Sequence, residues 1–265
     1  MNPGIPKVIA GAALLVAALV FAQTSNLPTV SIKRDDTDIV ITNRDPSAEA
    51  RSPLRNPNCK EGIRMSIFYG PNPEFVETIT EETTLTSAIV IVESPDETSE
   101  SNKDTLELFG GTLSFNRPRC PETIERSEEA SVTLEQGRTT AKGVRFFLDQ
   151  GTNIGTMDGP VNLVRAAEGD SPGLTADADS LEFDVDTDIS TLSGNVTVNS
   201  EDRISTAEEL EYDEKNGVAI MKGNPAKSTK GTDFVQGNLI KYYLNTNDVV
   251  VIGKISGEIE IDTNE

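Results

Sequence analysis

Alternating apolar and polar residues, organised as a unit that occurs three times, dominate the chain between residues 174 and 257. In each unit an aromatic residue ends an alternating run, a polar turn follows, and a second run rich in β-branched residues leads to a glycine. Aromatic and glycine are eleven residues apart, and the aromatic recurs every 29 to 30 residues. The pattern predicts one bent β-hairpin per unit, stacked around a shared apolar interior. The pairs are Phe183 and Gly194, Tyr212 and Gly223, and Tyr242 and Gly253.

A fourth unit lies before these three. Leu148 takes the place of the aromatic, and Gly159 follows it by eleven residues. An insertion at residues 168–172 separates this unit from the main array. Residues 205–211 (STAEELE) favour helix by local propensity, but their position in the repeat predicts a strand.

The region before this fourth unit repeats the pattern more weakly. Residues 110–115 keep the front half of a unit, so we interpret the N-terminal half as a degenerate continuation of the array; a chance match is the alternative. The acidic segment 93–104 predicts a surface loop, and residues 37–42 predict a strand. The sequence thus predicts a signal peptide at 1–22, a linker with a first strand at 23–57, a degenerate N-terminal β region at 58–139, and β repeats at 140–262.

The N-terminus has the features of a secretory signal. Lys7 precedes an apolar run at residues 8–21, and Ala22 completes a small-residue cleavage site. A retained membrane anchor is the alternative, although the run is shorter than the roughly 20 residues that a spanning helix needs. We therefore expect an exported protein.

Two cysteines, Cys59 and Cys120, are the only ones in the chain. An even number of cysteines in an exported protein predicts a disulfide, here closing a loop of about 60 residues. Two free buried thiols are the alternative.

Charge and residue types exclude several functions. The net charge of −21 disfavours nucleic acid as a partner. Histidine is absent and no catalytic motif occurs, so we predict no enzyme, no catalytic residue and no cofactor. Residues 184–188 imitate the start of a calcium loop, but Ile189 stands where the loop needs glycine, and we predict a solvated turn and no metal site.

The inward-facing side chains are the candidate functional residues. Aromatic residues make up only 5% of the chain and tryptophan is absent, so small and medium side chains line the interior. We predict that this set lines a ligand groove; an ordinary packed core is the alternative. The residues are Leu181, Phe183, Leu192, Val196, Val198, Leu210, Tyr212, Met221, Ile240, Tyr242, Val249 and Val251.

Residues 159–257 resemble the OstA/LptA-type repeats of the lipopolysaccharide-transport family. The shared features are a strand ending in tyrosine, a polar turn, and a strand ending in Gly-x-Pro or Gly-x-Val, here at residues 223–225 and 194–196. The resemblance implies an all-β fold of stacked antiparallel hairpins, an open β-jellyroll, in the periplasm or cell envelope. It also implies that acyl chains of lipopolysaccharide are sheltered in the interior, so that the twelve inward-facing residues named above would be lipid-binding.

Family members join end to end to form a bridge between the inner and outer membranes. The resemblance therefore implies a periplasmic lipid-binding bridge protein, carrying lipopolysaccharide or a related envelope glycolipid. Its partners would be other jellyroll proteins or further copies of itself, joined through open strand edges. Residues 249–252 are apolar on both faces, which predicts a strand buried on both sides or next to such a joint. The alternative function is a structural scaffold of the envelope with a filled β core.

Overall fold

The structure is a computed structural model. It describes residues 29–34, 37–44, 56–70, 76–80, 83–95, 103–115, 120–169, 172–187, 189–213, 215–244, 246 and 248–258. The predicted signal peptide at 1–22 lies outside the described residues. Within the described ranges no helix is long and apolar enough to cross a membrane.

The described part of the chain is built from strands, as the alternating pattern predicts. Those of the N-terminal half are β1 (Thr29–Arg34), β2 (Thr37–Asn43), β3 (Asn56–Lys60), β4 (Ile63–Tyr69), β5 (Val76–Thr80), β6 (Thr83–Ser87), β7 (Ile89–Pro95), β8 (Thr105–Phe109), β9 (Gly111–Phe115), β10 (Pro121–Arg126), β11 (Val132–Gln136), β12 (Thr139–Gly143) and β13 (Arg145–Asp149). Those of the C-terminal half are β14 (Ile154–Arg165), β15 (Leu174–Asp184), β16 (Ile189–Ser200), β17 (Arg203–Asp213), β18 (Val218–Lys230), β19 (Asp233–Tyr243), β20 (Asp248–Ile252) and β21 (Ser256–Glu258). The all-β, antiparallel fold class is confirmed, and so is the strand prediction for STAEELE, which lies in β17.

The long strands β14 to β19 are bent in the middle, where the antiparallel register shifts between neighbours. One shift falls at Gly194, whose φ of 79° is in the left-handed region. A Cβ there would lie 2.4 Å from the Asp179 carboxylate, so glycine meets both the conformational and the steric requirement. The bends predicted at the repeat glycines are therefore confirmed.

Each bend divides a long strand between two layers, which we call wall 1 and wall 2. Wall 1 consists of residues 154–158, 180–184, 189–193, 209–213, 218–222 and 239–243, with β3, β4, β7, β8, β13 and β20. Wall 2 consists of residues 161–165, 174–178, 196–200, 203–207, 226–230 and 233–237, with β1, β2, β5, β6, β11, β12 and β21.

The N-terminal half continues the same two walls with shorter strands. Ala88 alone separates β6 from β7, and Val144 alone separates β12 from β13, so each pair is one bent strand interrupted at its bend. Antiparallel pairing runs without a break from β14 through β13 to β8, and from β14 through β12 to β11. The hydrogen-bonded ladder therefore crosses residue 139.

A two-stranded arm, β9 and β10, leaves the ladder between β8 and β11 and covers the outer face of wall 1. Leu113 and Ile124 of the arm pack on a second apolar cluster made by Ile67, Ala88, Ile89, Ile91 and Phe109. Strand β7 is consequently buried on both faces, because Val90 and Val92 point into the main core.

Three contacts hold the arm in place. A disulfide joins Cys59 in β3 to Cys120 beside β10, with the two Cα atoms 5.2 Å apart. The Arg126 guanidinium donates to both Glu107 oxygens, at 2.8 and 2.9 Å, and lies 4.9 Å from the centre of the Phe109 ring. Burial opposes ionisation of Glu107, but hydrogen bonds from Arg126 and Arg145 outweigh it and lower the pKa of Glu107.

Two sequence predictions were wrong in part. The loop predicted at residues 93–104 begins later, because β7 extends to Pro95 by pairing with β4; residues 96–102 lie outside the described ranges. The predicted linker contains β1 as well as the strand expected at residues 37–42. The two strands pair with each other, and Val30 and Ile32 of β1 pack against the core.

Candidate functional site

All twelve candidate residues belong to the interior between the two walls. Eight are buried with at most 2% of their surface exposed, and four are partly buried and pack against the same core. The buried ones are Leu181, Phe183, Leu192, Val196, Leu210, Tyr212, Met221 and Ile240; the partly buried ones are Val198, Tyr242, Val249 and Val251.

The outward face of wall 1 is charged, as the strand alternation requires. Leu210 and Met221 are opposite each other inside, whereas Glu209, Glu211 and Lys222 are outside. Lys222 donates to Glu209 at 2.7 Å and to Glu211 at 3.0 Å, and these hydrogen bonds raise the pKa of Lys222. The assignment of strand faces from the sequence is therefore consistent with the structure.

The apolar interior runs through the whole described stack. One cluster of buried side chains extends from Ile39 and Ile41 in β2, through Leu106 and Leu108 in β8, to Ile240 in β19. The N-terminal members were not predicted as site residues, because short strands give too few alternations to fix a face.

Most of this interior is closed around its side chains, and a cavity of about 50 Å³ lies at its C-terminal end. A typical small-molecule pocket has about 300 to 1,000 Å³. The cavity has an apolar floor and a charged rim. The floor contains Leu174, Val198, Leu210, Ala219 and Met221, and the rim contains Glu201, Asp202, Arg203 and Lys230.

Hydroxyl groups bridge the two walls beside this cavity. The Tyr242 hydroxyl of wall 1 lies 2.9 Å from the Ser205 hydroxyl of wall 2, and both residues line the cavity. Ser205 donates to Ser228 at 3.1 Å, and Arg203 donates to the same Ser228 oxygen at 3.1 Å. Since a serine hydroxyl has one proton to donate, Tyr242 is the donor to Ser205.

A similar bridge lies one repeat earlier, between the Tyr212 hydroxyl and the Thr139 hydroxyl at 3.4 Å. Tyr212 is 2% exposed, whereas Tyr242 is half-buried. Phe183 occupies the equivalent position in the preceding unit and carries no hydroxyl. Bridges of this type are therefore specific to the last two units, and only the second borders the cavity.

Sequence reasoning missed the polar members of this site. The prediction used the apolar residues of β17 and β18, and these strands also contain Ser205, Ser228 and Arg203. A single serine in a strand does not indicate a functional role. Ser205 and Ser228 are opposite each other on neighbouring strands and are both buried. Serines at positions that pair across the two neighbouring strands, on the inward-facing side of both, are the signal that would have found them.

The turn that imitates a calcium loop is hydrogen-bonded within the protein. The Asp184 carboxylate accepts from the backbone N–H groups of Asp186 and Thr187, and the Asp186 carboxylate accepts from Asn153. Residue 188 lies outside the described ranges. Among the described residues no group of three or more His, Cys, Asp or Glu side chains is placed to hold a metal ion.

The C-terminal end of the stack presents an exposed apolar edge. Strand β20 pairs with β19 on one side, and Val250 and Ile252 on its outward face are 43% and 54% exposed. Of the two alternatives predicted for residues 249–252, burial on both faces was therefore wrong, because β20 is the last strand of wall 1 among the described residues. Val249 and Val251 alone pack against the core.

Comparison with known proteins connects this arrangement to a family. The sequence matches the family described as "LptA/(LptD N-terminal domain) LPS transport protein" over residues 76–218, more than half of the chain. A crystal structure of LptH, the LptA homologous periplasmic component of the lipopolysaccharide transport device from Pseudomonas aeruginosa, aligns with a TM-score of 0.39 and 13% identity. The alignment covers 46% of this chain and 95% of that one. No protein with a curated description matches significantly. On the family match, the chain belongs to the LptA/LptD N-terminal domain family of lipopolysaccharide transport proteins.

Proposed function

We propose that this protein is a periplasmic bridge component that shelters acyl chains of lipopolysaccharide, or of a related envelope glycolipid, on their way between the inner and outer membranes. The observation that carries the proposal is the single apolar interior that runs between two walls through the whole described stack. Membership of a lipopolysaccharide transport family supports the cargo class. The predicted export signal supports the location.

The energetics suit a carrier. Each methylene removed from water contributes about 0.8 kcal/mol, so one chain of roughly 12 carbons gains on the order of 10 kcal/mol in a matching interior. Release into water is then very slow, whereas transfer to an equivalent interior is nearly neutral in free energy. A continuous series of such proteins moves lipid if another component supplies the energy and the direction.

The exposed edge at β20 supports assembly with a further jellyroll protein or a second copy. Among the described residues β20 pairs only with β19, so its other backbone edge accepts a strand, and Val250 and Ile252 bring apolar surface to the joint. At the opposite end of wall 1, Pro57 in β3 lacks a backbone N–H, which disfavours strand addition there. We therefore propose β20 as the wall 1 edge that joins a partner.

We further propose that residues 58–139 and 140–262 act as one unit. The ladder crosses residue 139 without a break, and the family match begins at residue 76. A lipid-binding interior would then extend beyond the repeats that the sequence pattern makes obvious.

A structural scaffold of the envelope is the second candidate, and one observation favours it. Eight of the twelve candidate residues are at most 2% exposed, which is the burial of a filled core. The scaffold function and the carrier function differ in one property, which is whether the interior accepts a lipid.

Lipid extraction from the purified protein tests the carrier function. The protein is isolated from the periplasm of a host that makes lipopolysaccharide, and bound lipid is identified by mass spectrometry. A fluorescent acyl probe is then displaced with lipopolysaccharide. Val198→Glu places a charge in the cavity, and Thr197→Glu places the same charge on the outward face of the same strand.

We expect glycolipid in the extract, probe displacement by lipopolysaccharide, and loss of both in Val198→Glu but not in Thr197→Glu. Absence of lipid and of probe binding in the folded wild-type protein would favour the scaffold. Equal binding by the two variants would mean that the cavity is not the site.

A further inference from the structure

We propose that the cavity beside Tyr242 is the entrance for a single acyl chain, and that the Tyr242–Ser205 hydrogen bond is the latch that keeps this entrance closed. The inference rests on the proposed carrier function and adds the residues that control access to it. The interior is apolar, as a lipid requires, but its side chains leave almost no space for one while the walls are closed.

The cavity has the polarity of a site for one end of an amphiphile. Leu174, Leu210 and Met221 form its apolar floor, and they continue directly into the buried core. Its rim carries charges of both signs, including an ion pair between Lys230 and Asp202 at 3.1 Å. An acyl chain directed at the floor leaves its polar end at the charged rim.

The Tyr242–Ser205 hydrogen bond holds the two walls together beside this cavity. Tyr242 projects from wall 1 and Ser205 from wall 2, on strands that do not pair with each other. Their hydrogen bond at 2.9 Å is therefore a contact between walls and not part of the ladder. Separation of the walls at this level requires that this bond break.

The Ser205 end of the latch is held rigidly, and the Tyr242 end is not. Ser205 is 3% exposed and is fixed through Ser228, which also accepts from Arg203. Tyr242 is half-buried, on the last long strand of the stack. Opening by movement of the Tyr242 side chain and β19 leaves the serine network intact, so the latch can close again after a chain has passed.

The deeper bridge between Tyr212 and Thr139 does not have this role. Its tyrosine is buried, and the cavity does not border it.

The test is stopped-flow uptake of the fluorescent fatty acid cis-parinaric acid by the full exported chain. Tyr242→Phe removes the latch hydroxyl and keeps the ring, and Ser205→Ala removes its partner from wall 2. Tyr243→Phe is the matched control, because Tyr243 borders the same cavity but its ring lies under Lys241, with Nζ 4.7 Å from the ring centre.

Loss of one ordinary hydrogen bond raises the population of the open form about fivefold, and the association rate rises by the same factor. We expect this increase for Tyr242→Phe and for Ser205→Ala, and an equal increase in the dissociation rate, because a bound chain leaves through the same entrance. Tyr243→Phe should associate and dissociate at the wild-type rates. Thermal melting identifies any variant that fails to fold. If Tyr242→Phe fails to fold, the rates of Ser205→Ala decide the result.

Two results would overturn the latch, and they differ in what they say about the proposed function. Probe binding by wild type with unchanged association rates in both latch variants removes the latch and leaves the carrier function standing. No probe binding by wild type or by any folded variant removes the carrier function, and the latch with it.

Discussion

Replacing both Cys59 and Cys120 by serine opens a loop whose ends are 61 residues apart in the sequence, between the edge strand β3 and the arm. In the chain-entropy treatment, closing a loop of this length destabilises the unfolded chain by about 4 kcal/mol at 25 °C. The folded arm keeps its other contacts, which are the Arg126–Glu107 ion pair and the packing of Leu113 and Ile124. The double variant should therefore fold and lose stability mainly through its unfolded state.

Urea unfolding followed by far-UV circular dichroism measures this loss, since the chain has no tryptophan to report by fluorescence. We expect the free energy of unfolding to fall by about 4 kcal/mol in the double serine variant, as the loop length implies. The wild-type protein in excess dithiothreitol should give the same value. A decrease below about 1 kcal/mol would refute the reasoning, because β3 and the arm would then unfold separately from the rest of the protein.

Three further predictions concern other parts of the fold. The lowered pKa of Glu107 means that its contribution to stability is present above its ordinary pKa of 4.5 and is lost as the pH falls through the lower folded value; Glu107→Gln should flatten the acid side of a stability–pH curve, and an unchanged curve would contradict this. Leu210→Ala should lower the free energy of unfolding by about 2 to 5 kcal/mol and Val250→Ala by less than about 0.5, and similar losses would mean that the strand faces are reversed. Gly194→Ala should lower the free energy of unfolding by about 1 kcal/mol or more, because the φ of residue 194 is 79° and a Cβ there meets Asp179. An unchanged free energy of unfolding in the same urea assay would mean that the bend does not require glycine at this position.

Local pattern was sufficient to predict the hairpins of the C-terminal half. Alternation around Tyr212 assigned Leu210 to the interior and Glu211 to the outside, and the spacing to the repeat glycines marked the bends. These features depend on residues that are close in the sequence, so periodicity reports them directly.

Contacts between distant parts of the chain could not be predicted in this way. Tyr212 and Thr139 are 73 residues apart and meet only because two walls close on each other. The arm formed by β9 and β10 covers wall 1 through Leu113 and Ile124, which alternate too briefly to identify a face. Nor does apolar periodicity distinguish an open groove from a closed core, because the same side chains line both.

Site-specific photocrosslinking in cells tests the central claim most directly. A benzophenone amino acid replaces Tyr242, which lines the cavity, or Lys241, the next residue, whose side chain is on the outward face. Irradiation should give a lipopolysaccharide adduct from position 242 and none from position 241. Adducts at neither position, from protein that is folded and exported, would contradict a lipid-binding interior, and adducts at both would place the lipid outside it.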